Sequence, residues 1–217
     1  MTKITGTIIT LNAEKYILRA IESLKNISDE IIVLDSKSTD STRDIAKSAG
    51  AKVYTQEFLG DGLQKKEASN FASNSWIFSL DADEYLDQDL IDFIKKTDLS
   101  NISYDSFAFR RKNYCADEWI KAAGFYPDYV TRLYDKSRVN YDSRADHAAI
   151  VSKNTLKTNC HIVHTTYESM AEWVDKMNFR SSMSARQLYR DGVMPSDVRP
   201  ITSCLLYTSD AADDLVG

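Results

Sequence analysis

The sequence predicts an α/β domain built on a mostly parallel central sheet with helices on both faces. Two observations carry this: short β-branched or apolar runs alternate with amphipathic segments, and two of those runs end directly in an aspartate. At 217 residues, 43% of them hydrophobic, the chain can bury one sizeable core with a smaller appendage.

Thr5 to Thr10 is a β-branched strand, after which Asn12 caps a helix with Ile17, Ala20, Ile21 and Leu24 on one face. Glu30 to Leu34 is a second strand ending at Asp35. Ser38, Thr39 and Asp40 then supply turn and cap chemistry for a helix carrying Ile45, Ala46 and Ala49 that stops at Gly50. Lys52 to Tyr54 reads as a third strand, Leu63 to Ala72 as a helix, and Trp76 to Leu80 as a fourth strand running into Asp81. Asp87 is the N-cap of a helix reaching Lys96. Ser106 to Arg111 and Tyr129 to Tyr134 alternate as half-buried strands do, around a segment holding Trp119, Gly124, Phe125, Tyr126 and Pro127. Ser169 and Glu172 form a capping box for a last helix, expected to run to near Arg190 and pack on the sheet.

The formal charge of -5 comes from 27 basic and 32 acidic residues mixed along the chain, with no basic run to follow a phosphate backbone, so nucleic acid is not an expected partner. Neither a leader-like start nor an apolar run of roughly 18 residues is present, which predicts a cytosolic chain that can still touch a membrane surface. Cys115, Cys160 and Cys204 are odd in number and far apart, which argues against a disulfide framework or a zinc knuckle and fits a reducing compartment. Cys204 to Asp213, CLLYTSDAAD, resembles a transposase-type sequencing adaptor translated in frame, so residues 204–217 are expected to be a non-native tail with no regular element integrated into the sheet. Without its three acids the balance is 27 basic against 29 acidic residues, a net charge of -2.

Ligands of open parallel sheets bind outside the carboxyl ends of strands, where Asp35 and the acidic motif Asp81, Asp83, Glu84 stand. A turn with solvated acids is the bland reading of that motif. Two carboxylates one residue apart at a strand exit can also hold Mg²⁺ or Mn²⁺ and leave coordination positions for phosphate oxygens. There is no G-x-G-x-x-G and no G-x-x-x-x-G-K-[ST], so a glycine cradle does not hold the phosphates and the metal takes that part. Thr10 to Lys15 lacks the glycine-rich basic loop of a nucleotidyltransferase, and the first strand lacks the D-x-D of a phosphoaspartyl phosphatase.

Ile8 to Asn12, DEIIVLDSKSTDST (Asp29 to Thr42), AKVY (Ala51 to Tyr54), Gln64 to Ala68 and SLDADE (Ser79 to Glu84), in that order, resemble the family 2 glycosyltransferases. GFYPDYVTRLY (Gly124 to Tyr134) narrows the resemblance to the branch containing lipopolysaccharide core β-1,4-glucosyltransferases, and the match covers most of residues 4 to 190. The resemblance implies a GT-A fold, inversion at the anomeric carbon, a nucleotide-sugar donor that is commonly a UDP-sugar, a divalent metal and a glycan or glycolipid acceptor. It implies a single domain over residues 1–203, with a nucleotide-sugar half (1–100) and an acceptor half (101–203). Work at the inner face of the cytoplasmic membrane, in envelope polysaccharide synthesis, follows.

Carried over residue by residue, the resemblance puts Thr10 and Asn12 in the nucleotide pocket and Asp35 on the base. Gln64 and Lys65 fall in a conformationally important segment near the donor. Asp83 is the principal metal ligand, with Asp81 on the ribose or the metal. The inverting reaction needs one general base, for which Asp128 is the candidate and His147 the competitor. Arg132 is a candidate for stabilising the diphosphate, and His164 for a further metal ligand. On local sequence alone, Thr10 and Asn12 read equally as strand end and helix cap, and Asp128 as a turn residue. Two positions depart from the family: Ala148 stands where a Glu commonly follows the equivalent of His147, and Lys37 where many members carry Gly. The first keeps a non-catalytic nucleotide-sugar binding module in play as the alternative.

Overall fold

The computed structural model describes residues 2–122, 124–142, 149–176, 178 and 181–182. The chain divides into two units, Met1–Glu168 and Ser169–Gly217.

In the first unit β1 (Ile4–Thr10), β2 (Glu30–Asp35), β3 (Lys52–Thr55) and β4 (Trp76–Asp81) stand in the order β3-β2-β1-β4, all parallel. The connections carry α1 (Ile17–Leu24), α2 (Thr42–Ser48) and α3 (Asp61–Asn70), as the alternating pattern requires. α1 forms because its apolar positions share one face: Ile17, Ala20, Ile21 and Leu24 are all buried. Each large one contributes roughly 1.5–3 kcal/mol of burial. The helix lies close on β1 because Gly6 has no side chain; a Cβ there would meet Leu24 Cδ1 at 3.0 Å and Ser28 Oγ at 3.1 Å.

Asn12 does not cap that helix. The helix begins five residues later behind Tyr16, without a side-chain cap, and Asn12 sits in a left-handed turn at φ 49°.

The chain then continues through β5 (Glu84–Leu86), α4 (Gln88–Lys96), β6 (Ser106–Cys115), β7 (Glu118–Trp119), β8 (Asp128–Asp135) and β9 (Thr155–Tyr167). Asp87 caps α4 as expected, its side chain accepting from Gln88 N at 2.8 Å. β8 joins β4 antiparallel, β6 joins β8 antiparallel, β9 runs parallel beside β6, and β5 closes the edge antiparallel to β9. Neither β5 nor β9 is legible in the sequence, β5 because it spans only Glu84–Leu86 and β9 because Lys157, Thr158 and Asn159 break its apolar pattern.

Side chains alternate across the sheet. Trp76, Phe78 and Leu80 join α1 and α4 in the larger core, while Ile77 turns the other way to Ala72, Tyr134 and Tyr141. In the second unit, residues 170–176 are helical. Ser169 Oγ accepts from Glu172 N at 3.1 Å, the first half of the expected capping box. Residues 178, 181 and 182 are helical as well; residues 183–203 and the tail at 204–217 lie outside the described residues. Cys160 is a free thiol.

Candidate active site

Strand register brings the acids to one edge. Thr10 stands opposite Asp35 and Ile9 opposite Asp81, so the carboxyl ends of β2, β1 and β4 finish level. Asp35 is fully buried; Ser38 donates to it through its backbone N at 2.9 Å and through its hydroxyl, and Arg43 Nε lies 3.7 Å away. Asn12 ties this loop to β1: its N donates to Ser38 Oγ at 2.9 Å, and its Oδ1 accepts from Thr39 N at 2.8 Å. Lys37, in the same loop, adopts φ 65°, the left-handed conformation that a glycine enters without strain. A glycine, as the family resemblance leads one to expect here, would enter that conformation freely.

A chain of alternating charges runs from α3 to β8. Lys65 Nζ is 3.1 Å from Asp61 and 3.0 Å from Asp81 Oδ1; Arg132 Nη2 is 2.6 Å from Asp81 Oδ2 and 2.6 Å from Glu84 Oε1. Arg111 continues it, with Nη1 3.2 Å from Glu84 and Nη2 2.7 Å from Asp128 Oδ2. Burial opposes ionisation of Asp81, but Arg132 and then Lys65 outweigh it and hold its carboxyl well below the usual carboxylate range. In the same way burial lowers Lys65 and Arg132, and their carboxylate partners more than restore them. Glu84 has no exposed side-chain surface, and its Oε2 also accepts from Asp81 N at 3.2 Å.

Asp83 differs from its neighbours. Its side chain is 36% exposed, and Oδ2 faces His164 Nε2 at 3.4 Å. His164 Nδ1 is 2.8 Å from Asn113 Oδ1, and Asn113 Nδ2 reaches Phe125 O at 3.1 Å and Asp128 Oδ2 at 3.2 Å. All the recognised pairings of Asp128 involve Oδ2: Arg111 Nε at 2.8 Å, Arg111 Nη2 and Asn113. No hydrogen bond from a described residue reaches its Oδ1, and a quarter of the side chain is open, at 26%.

The residues expected at the site therefore divide. Asp83, His164 and Asp128 come together, linked by Asn113. Two more of them belong to the ion chain. Arg132, expected on the diphosphate, is 4% exposed and engaged by Asp81 and Glu84. Asp81, expected on the ribose or the metal, has one oxygen on Lys65 and the other on Arg132. Gln64 is buried and bonds Ser36, Gln56 and Leu59 N, so it ties together the loops that follow β2 and β3. Thr10 is buried, and its Oγ1 has no partner among the described residues. His147 and Ala148 lie outside the described residues.

Sequence reasoning missed Arg111, Asn113 and the inward turn of Glu84. The signal available was a polar Arg111-Lys112-Asn113 run continuing a strand that begins with Phe107 and Phe109, too common a pattern to single out.

Asp83 and His164 fit a divalent cation: an oxygen and an imidazole nitrogen converge, and Asp83 lines a cavity of about 600 Å³. A separate group, Asp87, Asp89 and His161, has ligand atoms within 4.8 Å of one another, but Asp87 already caps α4 and pairs with Lys112 at 2.6 Å.

The family model described as Glycosyl transferase family 2 matches residues 7–158. The chain belongs to glycosyl transferase family 2. A protein of Rickettsia typhi named as an uncharacterized glycosyltransferase is 36% identical over 219 residues, covering 94% of this chain and 74% of the relative. The lipopolysaccharide core biosynthesis glycosyltransferase LpsC of Rhizobium meliloti is 28% identical over 205 residues, covering 88% of this chain and 74% of LpsC. Among solved structures, S. aureus TarS 1–349 in complex with UDP superposes with a TM-score of 0.58 at 16% identity, over 76% of this transferase and 61% of that chain. Mannosyl-3-phosphoglycerate synthase from Rubrobacter xylanophilus gives 0.56 at 12% identity, over 90% of this chain and 77% of that one. These likenesses show the GT-A fold. The transferase thus spans about three fifths of the TarS 1–349 chain. No helix among its described residues is long and apolar enough to cross a membrane.

Proposed function

We propose that this family 2 transferase is an inverting enzyme that moves a sugar from a UDP-sugar to a glycan of the cell envelope, of the lipopolysaccharide-core type. The observation that carries the reading is the single hydrogen-bonded group in which Asp83 and His164 face each other and Asn113 joins them to Asp128. The UDP and UDP-GlcNAc complexes of TarS support a uridine donor, and the name of LpsC supports the acceptor class. Action at the inner face of the cytoplasmic membrane accords with that acceptor.

Asp83 and His164 would hold Mg²⁺ or Mn²⁺. When bound, the cation supplies charge neutralisation for the departing diphosphate. Asp35, at the end of β2, remains the candidate for the base and Asp81 for the ribose, with Thr10 and Asn12 as candidates beside the nucleotide. Arg111 and Asn113 grip one oxygen of Asp128, which leaves Oδ1 to accept the proton of the acceptor hydroxyl as it attacks the anomeric carbon. Lys65 and Arg132 keep Asp81 ionised and fixed at the strand exit.

A panel of nucleotide sugars tests this with two readouts, thermal stabilisation with and without Mn²⁺ and release of free UDP. Bound ligand raises stability by mass action, so metal-dependent stabilisation by a UDP-sugar is expected. Stabilisation without any UDP release, with acceptor present, would favour the non-catalytic binding module; equal stabilisation in chelator would sink the metal role.

A further inference from the structure

We propose that Asn113 is a positioning residue that sets the tautomer of His164, presenting the Nε2 lone pair to Asp83, while its other end holds the Asp128 carboxylate. The functional consequence rests on the metal-dependent reading above; the tautomer assignment stands on geometry alone.

Asn113 is 3% exposed on β6, between β8 and β9. A carboxamide has one end that donates and one that accepts. The two oxygens near one end, Phe125 O at 3.1 Å and Asp128 Oδ2 at 3.2 Å, are a carbonyl and a carboxylate, and neither donates. That end is therefore the NH₂, and the amide oxygen must face His164 Nδ1 at 2.8 Å. An oxygen that only accepts requires a proton on that nitrogen; with Nδ1 unprotonated, two lone pairs would be forced together at that distance. Thr166 Oγ1 lies 3.1 Å from Nδ1 and 3.3 Å from Asn113 Oδ1, and it can share in either bond without relocating the proton. The neutral imidazole then carries its lone pair on Nε2, the nitrogen 3.4 Å from Asp83 Oδ2. A histidine that binds a metal through one nitrogen is held by a partner on the other, and here a buried amide fills that place.

The register makes the coupling rigid. His164 pairs with Asn113 on one side and with Glu84 on the other, while Arg111, two residues before Asn113, pairs with Asp128. One amide thus fixes the nitrogen offered to the cation and the orientation of the base.

The test is long-range ¹H–¹⁵N correlation of the histidine rings in the full, metal-free chain at a pH where imidazole is neutral, alongside Mn²⁺ binding measured by calorimetry. Wild type should show His164 with its proton on Nδ1. Asn113→Leu should lose that preference and bind Mn²⁺ roughly 10- to 100-fold more weakly. Asn113→Asp, which still accepts from Nδ1 but cannot donate to Asp128, should keep the tautomer and lose kcat with little change in donor KM. A proton on Nε2 in wild type overturns the inference, and this needs no variant to fold; so does an unchanged tautomer in a folded Asn113→Leu. If wild type and Asp83→Asn bind Mn²⁺ equally, the metal reading fails while the spectrum still decides the role of Asn113.

Discussion

Replacing Glu84 by Gln separates two acids that a motif treats alike. Glu84 has no exposed side-chain surface, and its carboxylate receives Arg132 at 2.6 Å, Arg111 at 3.2 Å and Asp81 N at 3.2 Å. Removing one charge from a buried pair costs about 3–5 kcal/mol. The amide oxygen of Gln can keep one of these bonds, and Arg132 and Arg111 retain Asp81 and Asp128, so a loss of about 3 kcal/mol, the low end of that range, is expected. For a chain of this size each kcal/mol moves Tm by about 2–4 °C, which gives a fall of about 6–12 °C. Urea unfolding followed by tryptophan fluorescence measures it. Asp83→Asn is the control: its side chain is 36% exposed and faces His164 at 3.4 Å. It should stay within about 0.5 kcal/mol of wild type while Mn²⁺ binding collapses. A Glu84→Gln loss below about 1 kcal/mol would refute the view that this ion chain holds β5 against β6 and β8.

Other outcomes follow from the same geometry. Burial raises the Glu30 carboxyl, but Lys52, Ser73 and Thr5 outweigh it and hold it at about 2 against an ordinary 4.5. A depressed pKa stabilises fully above the unfolded value and loses that contribution as pH falls through the folded one, so the Glu30 contribution fades from pH 4.5 towards 2. Glu30→Gln should flatten the urea midpoint in that window; an unchanged slope counts against the pairing. Asp128→Asn should leave UDP affinity intact and lower kcat by roughly 10² or more, with His147→Ala doing less; the reverse order moves the base to His147. Lys37→Gly should raise stability by up to about 1 kcal/mol through relief of its left-handed backbone, even though the exposed ion pair with Glu57 is lost. A destabilised Lys37→Gly would show that the loop depends on the lysine side chain.

The parallel half was legible because each of its elements announces itself locally. β1 is a β-branched run, β2 and β4 are mainly apolar runs ending in an aspartate, α1 and α4 have clean helical spacing, and Asp87 caps where a cap was expected. Asn12 misled because a capping side chain and a turn side chain are the same chemistry seen from sequence; its actual partner, Thr39, is 27 residues away. β9 escaped because its partners β6 and β5 are remote in sequence, and its stability comes from pairing more than from its own composition.

By itself the sequence determined the α/β order, the strand ends at which acids stand, and the family, because periodicity and motif order are written along one chain. Only the tertiary structure decided which acid does what. Asp81, Asp83 and Glu84 fall within four consecutive positions, yet one is paired to Lys65 and Arg132, one is open beside His164, and one is buried between two arginines. That division depends on β5 turning Glu84 inward and on β9 carrying His164 back beside it. The free energy of a carboxylate is set by the charges and solvent around it, and in this fold those neighbours arrive from strands up to 81 residues away, as between Asp83 and His164.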